Sequence, residues 1–355
     1  MQAARTSSTS LTTWLRHLLA PNAPTALATL AALLLAACWL PDVLRWALWH
    51  AHWATSADTC AAEPAGACWS VIHELHRYIL WGRYPYAEQW RPMLATALLI
   101  ALCAASAQRR CWRPALAWAW LLGMAVNYTL LRGGLLGLPP VDTELWGGLP
   151  LTLLLSSMGI ALACPLAVLL ALGRRSPWPA VRALCTVYIE VVRGVPLVSV
   201  LFVASFLFPL FMPSGVNVDV LLRVLIALAL FAAAYLAEVV RGGLQSVPLE
   251  QTQAAVALGM TPWQVQRHVV LPQALTSVLP GLVNHFIGLV KDTSLVTVVS
   301  LYELTGSLSL ALNSDANWRP YKLEAYLFIA AIYFLLCYAL SRYSARLEAQ
   351  LRPPQ

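Results

Sequence analysis

The chain is 355 residues long, 59% hydrophobic and 11% charged, with a mean hydropathy of +0.67. A soluble domain carries roughly 25% charged residues, so the composition excludes an ordinary water-soluble fold and predicts an all-α integral membrane protein, because backbone polar groups in lipid must be satisfied within each segment. The net charge of +7 does not point to nucleic acid: only Lys291 and Lys322 are lysines, and most arginines fall in short loops between apolar runs, where they set topology.

Residues 1–21 are polar at first, with Arg5, Arg16 and a Ser/Thr cluster. The run Asn22–Pro41 then reaches about the 20 residues that a bilayer requires. It ends in Cys38-Trp39-Leu40-Pro41 and not in a small-residue cleavage site, which predicts a retained anchor. A polar stretch near 50–91 follows, then apolar runs at 92–107 and 114–131, separated by Gln108-Arg109-Arg110-Cys111-Trp112-Arg113. Further runs at 149–172, 187–211, 221–240, 275–299 and 323–343 bring the expectation to about eight transmembrane helices. Pro165, Pro196, Pro209 and Pro280 lie inside these runs, where neighbouring helices can satisfy the freed carbonyls. Loops bearing Arg109, Arg110, Arg113, Arg174, Arg175, Arg182 and Arg267 fall on one side, which predicts that side, and both termini with it, to be cytoplasmic.

The loop near 245–272 is long for a simple connection. Its sequence predicts two short helices. Pro248 opens a segment that is helix-compatible up to Leu258 and is stopped by Gly259. Thr261 then caps a second helix with Pro262 in its first turn and Gln264 completing a capping box, and Leu271-Pro272 is expected to end it. Such a hairpin, presenting Ala254, Ala255 and Leu258, suits either docking on another protein or lying on lipid headgroups.

Gln253-Ala254-Ala255, Gly259 and Val269-Val270-Leu271-Pro272 resemble the "EAA" loop of permease subunits from bacterial ABC importers, with Gln253 standing where that family usually has glutamate. Four further phrases narrow the resemblance to the polar amino-acid permeases of the histidine, glutamine and general L-amino-acid type. They are Gly148-Leu-Pro-Leu-Thr-Leu-Leu-Leu-Ser156, Tyr188-Ile-Glu190-Val-Val-Arg193-Gly194-Val-Pro196, Ala234-Tyr235-Leu-Ala-Glu238-Val-Val-Arg241-Gly242-Gly243 and Lys291-Asp292-Thr293-Ser294-Leu295. The resemblance covers 145–350. It implies a five-helix type I importer core over 141–350, with a coupling helix that seats on a separate ATPase. Residues 1–140 form an N-terminal extension with about three spans, as in the longer permease subunit of general L-amino-acid importers. It also implies a bacterial inner-membrane location, a pair of ATPase chains that bind ATP and Mg, a second homologous permease, and a substrate-binding protein that delivers amino acids. No cofactor is expected in this chain.

Charges inside a membrane are costly and mark functional candidates. An amino acid carries an ammonium and a carboxylate, so Glu190 and Asp292 are candidates for the first, and Arg193 or Lys291 for the second. The competing reading is that these charges form internal salt bridges or subunit contacts. Tyr235, Thr293 and Ser294 are candidate cavity liners. Cys60 and Cys68 fall in the predicted outer loop, where an oxidising compartment favours a disulfide. His50, His52, His73 and His76 flank the pair, but their spacing matches no zinc pattern, so no metal site is expected. The sequence holds no G-x-x-x-x-G-K-[ST] phosphate loop and no G-x-S-x-G elbow, so energy must come from a partner. The rival readings are an ion-coupled secondary transporter, which would show inverted repeats, and an intramembrane enzyme built on His73, Glu74 and His76.

Overall fold

A computed structural model of the chain describes residues 22–351 apart from Thr55, Leu136 and Ser214. Arg5, Arg16, the N-terminal Ser/Thr cluster and Arg352 lie outside the described residues. Among the described residues there are no strands, only two isolated bridges, His52 with Cys68 and Gly148 with Glu303. The chain divides into a compact unit ending at Glu74 and a larger one beginning at Leu75.

In the first unit, α1 (Ala23–Leu44) runs on through a π-helical turn, Arg45–Trp49. Its leucines Leu27, Leu30 and Leu34 are exposed, as side chains facing lipid would be. The segment beyond it, expected as a polar stretch, folds. Ser56 caps the short helix α2 (Ala57–Ala62) through the Thr59 amide. Cys60 and Cys68 are joined by a disulfide with their Cα atoms 5.8 Å apart. Trp69 stacks on Trp53 and donates from Nε1 to the Ala47 carbonyl at 2.8 Å, tying this small knot to the end of α1.

The helix α3 (Ser70–Trp81) leads into the larger unit, which contains α4 (Trp90–Ser106), α5 (Pro114–Arg132), α6 (Gly148–Arg174), α7 (Pro179–Gly194), α8 (Leu197–Phe202), α9 (Val220–Ser246), α10 (Leu249–Ala257), α11 (Leu271–Asp292), α12 (Leu304–Ser314) and α13 (Lys322–Leu351). The core is the α6–α9 contact, with α11 packed on α9 and touching α6 as well. Ala163, Ala167 and Ala171 recur every four residues on α6 and are buried against Ala233, Leu236, Ala237 and Val240 of α9. Lipid gives helices no hydrophobic reason to associate, so close backbone approach over small residues supplies the packing energy. The fully buried Arg91 fixes α4 to α5 by donating to the carbonyls of Leu130 at 2.6 Å and Pro139 at 2.9 Å, around the end of α5.

Among the described residues six helices are long and apolar enough to cross a membrane, and one bent helix pair makes a seventh. α4, at 17 residues, stands where the sequence predicts a span and is not one of these six.

Two expectations are corrected. The run 187–211 is not one straight span: α7 and the helical stretch beginning with α8 meet at 106°, broken at Val195-Pro196. Proline has no amide hydrogen to donate and disfavours helical geometry in the residue before it. α7 is moreover amphipathic, with Ile189 buried and Leu184, Val187 and Val191 exposed. The second correction concerns Leu271-Pro272, which does not end a helix. The capped turn at Pro262–Gln264 passes through a π-helical stretch, Val265–Val270, directly into α11, and Pro272 sits in the first turn of α11, where its missing amide costs nothing.

Candidate functional site

A cavity of about 330 Å³ opens between α9 and α11, with Leu197 of α8 on its wall. Phe231, Ala232, Tyr235 and Leu236 line it from α9, and His285, Phe286, Gly288, Leu289 and Asp292 from α11. The spacing explains the grouping. Residues 231, 232, 235 and 236 share one face of α9, as 285, 288, 289 and 292 do on α11. The Tyr235 ring lies 6.1 Å from the His285 ring and 5.0 Å from that of Phe231. Asp292 supplies the one carboxylate in the lining, so the cavity is an apolar and aromatic slot with a single anionic corner.

Beside it lies a charged cluster that joins α6, α7 and α9. Arg174 donates to Glu190 at 2.8 Å and to Glu238 at 3.0 Å. Arg241 forks onto both oxygens of Glu238, its Nε donating at 2.9 and 3.0 Å. Arg193 is 4.0 Å from Glu238, and its guanidinium lies 5.7 Å from the centroid of the Tyr235 ring. The Tyr235 hydroxyl donates to the Arg193 carbonyl at 3.2 Å.

Of the residues singled out from the sequence, Tyr235 and Asp292 line the cavity and Arg193 borders it through Tyr235. Glu190 is held by Arg174 in the internal salt bridge that was the competing reading. Lys291 is exposed and points elsewhere on α11, one residue away from the lining face. Thr293 is fully buried and donates to the Val290 carbonyl at 2.8 Å, and Ser294 does not line the cavity. Sequence reasoning missed His285, whose signal is its position seven residues, two helical turns, before Asp292. It also read Arg174 only as a loop charge and did not remark that Glu-Val-Val-Arg-Gly occurs twice, at 190–194 and 238–242.

A second polar centre was also missed. Glu303 is fully buried and caps α12, accepting from the amides of Thr305 at 2.8 Å and Gly306 at 3.1 Å. Its other oxygen accepts from the Tyr333 hydroxyl at 2.6 Å and from Thr152 at 3.2 Å.

In the loop 245–272, Gln253, Ala254 and Leu258 are exposed, while Ala255 is 4% exposed and packs into the α6–α9 core. The expectation that Ala255 is presented outward is therefore corrected. On a helix as short as α10 one face must pack inward to hold it, and Ala255 lies on that face. Gly259 takes φ of +78°, the left-handed conformation that ends α10. Thr261 and Gln264 form the reciprocal capping box around Pro262. Leu249, Val256, Leu258 and Trp263 leave an apolar surface exposed on this segment.

Residues 163–353 match the family of binding-protein-dependent transport system inner membrane components. The chain belongs to this family. The permease is 44% identical over 344 residues to the inner membrane amino-acid ABC transporter permease protein YhdY of Escherichia coli (strain K12), a match covering 94% of this chain and 91% of that one. It is 37% identical to the glutamate/glutamine/aspartate/asparagine transport system permease protein BztC of Rhodobacter capsulatus, over 90% of this chain and 89% of the relative. Among solved structures it is similar to an amino acid ABC transporter with histidines, at 32% identity and a TM-score of 0.51, over 57% of this chain and 92% of that one. The permease is thus a multi-span inner-membrane transport subunit of an ABC importer, with the type I importer permease fold. The secondary-transporter and enzyme readings are not favoured.

Proposed function

We propose that this permease carries amino acids inward through the cavity between α9 and α11, with Asp292 receiving the substrate ammonium. The observation behind this reading is the cavity itself: an aromatic and apolar slot, bounded by two membrane-crossing helices, with a single carboxylate corner. The matched relatives are named as amino-acid permeases, which fits a zwitterionic cargo.

Energy comes from a partner ATPase pair that binds ATP and Mg, on which α10 docks. The exposed Leu249, Val256, Leu258 and Trp263 supply the apolar contact, and Gln253 the polar one. A second homologous permease completes the translocation path, and a substrate-binding protein delivers the amino acid at the opposite end of the bundle. The disulfide between Cys60 and Cys68 supports the orientation, since disulfides persist in oxidising compartments. On this reading that segment is outside, and crossings by α4, α5, α6, the helical stretch that begins with α8, α9, α11 and α13 leave α10 and both termini on the cytoplasmic side.

The test is uptake of radiolabelled L-amino acids into proteoliposomes holding the whole importer with its binding protein. Asp292→Asn should lower uptake at least tenfold while ATP hydrolysis persists. Wild-type uptake by this variant would overturn the assignment of the cavity as the substrate site.

A further inference from the structure

The charged cluster beside the cavity does not balance. Among the described residues it contains three guanidinium groups, Arg174, Arg193 and Arg241, and two carboxylates, Glu190 and Glu238. The sequence repeat explains which arginine is left over. In each Glu-Val-Val-Arg-Gly the arginine follows its glutamate by three residues, so both stand on one helix face. Arg241 pairs with its own Glu238. Arg193 does not pair with its own Glu190, because Arg174 reaches across from the end of α6 and takes that carboxylate at 2.8 Å. Arg193 is left at 4.0 Å from a Glu238 already engaged by two other arginines, and its buried Nε has no hydrogen-bond partner. A partly buried cation short of an anion is costly, and the deficit is relieved by any carboxylate that arrives with good geometry.

Arg193 reaches the cavity through Tyr235. Arg193 lies over the ring of Tyr235, and Tyr235 lines the same cavity as Asp292. The cavity is therefore lined by one carboxylate and bordered, behind Tyr235, by a cation short of an anion. We propose that the α-carboxylate of the transported amino acid is the third anion of this cluster and that Arg193 is its partner, an inference that rests on the cavity being the substrate site. Lys291, the other basic candidate, is exposed and does not line the cavity. Binding draws Arg193 away from its long contact with Glu238, so occupancy of the cavity is felt where α6, α7 and α9 meet. Arg193 then selects for a free carboxylate, and it reports substrate to the cluster that ties these helices together.

The experiment is equilibrium binding to the assembled importer in lipid nanodiscs without its binding protein. Each standard L-amino acid is tested, and the tightest binder is then compared with its own carboxamide. The wild type should prefer the acid to the amide by about 10- to 100-fold, the range of one charge-assisted hydrogen bond. Arg193→Gln should bring the acid down to the amide's affinity and leave the amide unchanged, and Arg193→Lys should restore part of the preference. Equal weakening of acid and amide in Arg193→Gln would mean a structural role and would overturn the proposal. So would an undiminished acid preference in Arg193→Gln alongside loss of binding in Asp292→Asn, an outcome that leaves the cavity assignment standing. Absence of any binding to the wild type, with Asp292→Asn transporting normally, would remove the cavity assignment and this proposal together.

Discussion

Replacing Glu303 tests whether the buried carboxylate organises the α6–α12–α13 junction as an acceptor or as a charge. Glu303→Ala removes the cap of α12, about 1 kcal/mol. It removes the acceptor of the half-buried Tyr333 hydroxyl, whose 2.6 Å bond to Glu303 is lost, at ~1–3 kcal/mol. It also empties the space of the carboxyl group and one buried methylene, the latter worth about 0.8 kcal/mol. Thr152 loses less, because it also donates to the Gly148 carbonyl at 3.2 Å. Release of a desolvated carboxyl offsets part of the sum, leaving a net cost of roughly 2–4 kcal/mol. Glu303→Gln keeps a carbonyl acceptor for Tyr333 and should cost about 1 kcal/mol. Burial pushes the Glu303 carboxyl above its ordinary value, against the hydrogen bonds donated by Tyr333, Gly306, Thr305 and Thr152. A carboxyl whose folded pKa is raised binds its proton more tightly when folded, so its stabilising share is present at low pH and lost as pH rises through the raised value. The wild type should therefore be more stable at mildly acidic than at neutral pH, and Glu303→Gln should flatten that part of the profile. The assay is thermal unfolding of the detergent-solubilised chain across pH, read by intrinsic fluorescence. If Glu303→Gln is as unstable as Glu303→Ala, charge and not acceptor geometry holds the junction, and the reasoning fails.

Three further outcomes follow from the same geometry. Gly243→Ala should destabilise the α9–α11 contact by about 1–3 kcal/mol, since an added Cβ there would lie 2.6 Å from the Ala274 carbonyl; the same thermal assay checks it, and an unchanged midpoint would mean that α11 can shift. Leu258→Asp, at an 83% exposed position on the coupling segment, should abolish co-purification of the ATPase while leaving the midpoint of the isolated chain within ~1 °C, as surface changes generally do; retained ATPase would count against docking through this face. Reducing Cys60–Cys68, which closes a loop of sequence separation 8, should cost the first unit about 2.5 kcal/mol by the chain-entropy model. It should show as new protease cleavage confined to residues 45–70, and cleavage spread over the larger unit would contradict that confinement.

The sequence by itself determined the solvent, the helices and the family. Long apolar runs can be satisfied in lipid only as helices, and the turn at Thr261-Pro262-Trp263-Gln264 is legible because capping is a local exchange of hydrogen bonds between residues three apart. Gly259 could be read as a helix stop for the same reason. Tertiary structure alone decided which charges face each other. Glu190 and Arg193 invite pairing as neighbours on one helix, yet Arg174, sixteen residues earlier, captures Glu190, because α6 and α7 pack with their charged ends together. Glu303 showed no signal of its own in a single sequence, since the groups that hold it, Thr152 and Tyr333, lie far away along the chain. The break at Pro196 and the continuation through Pro272 show the limit of a proline as a signal. Its missing amide breaks a helix in mid-span and is harmless in a first turn, and only packing fixes which of the two positions it occupies.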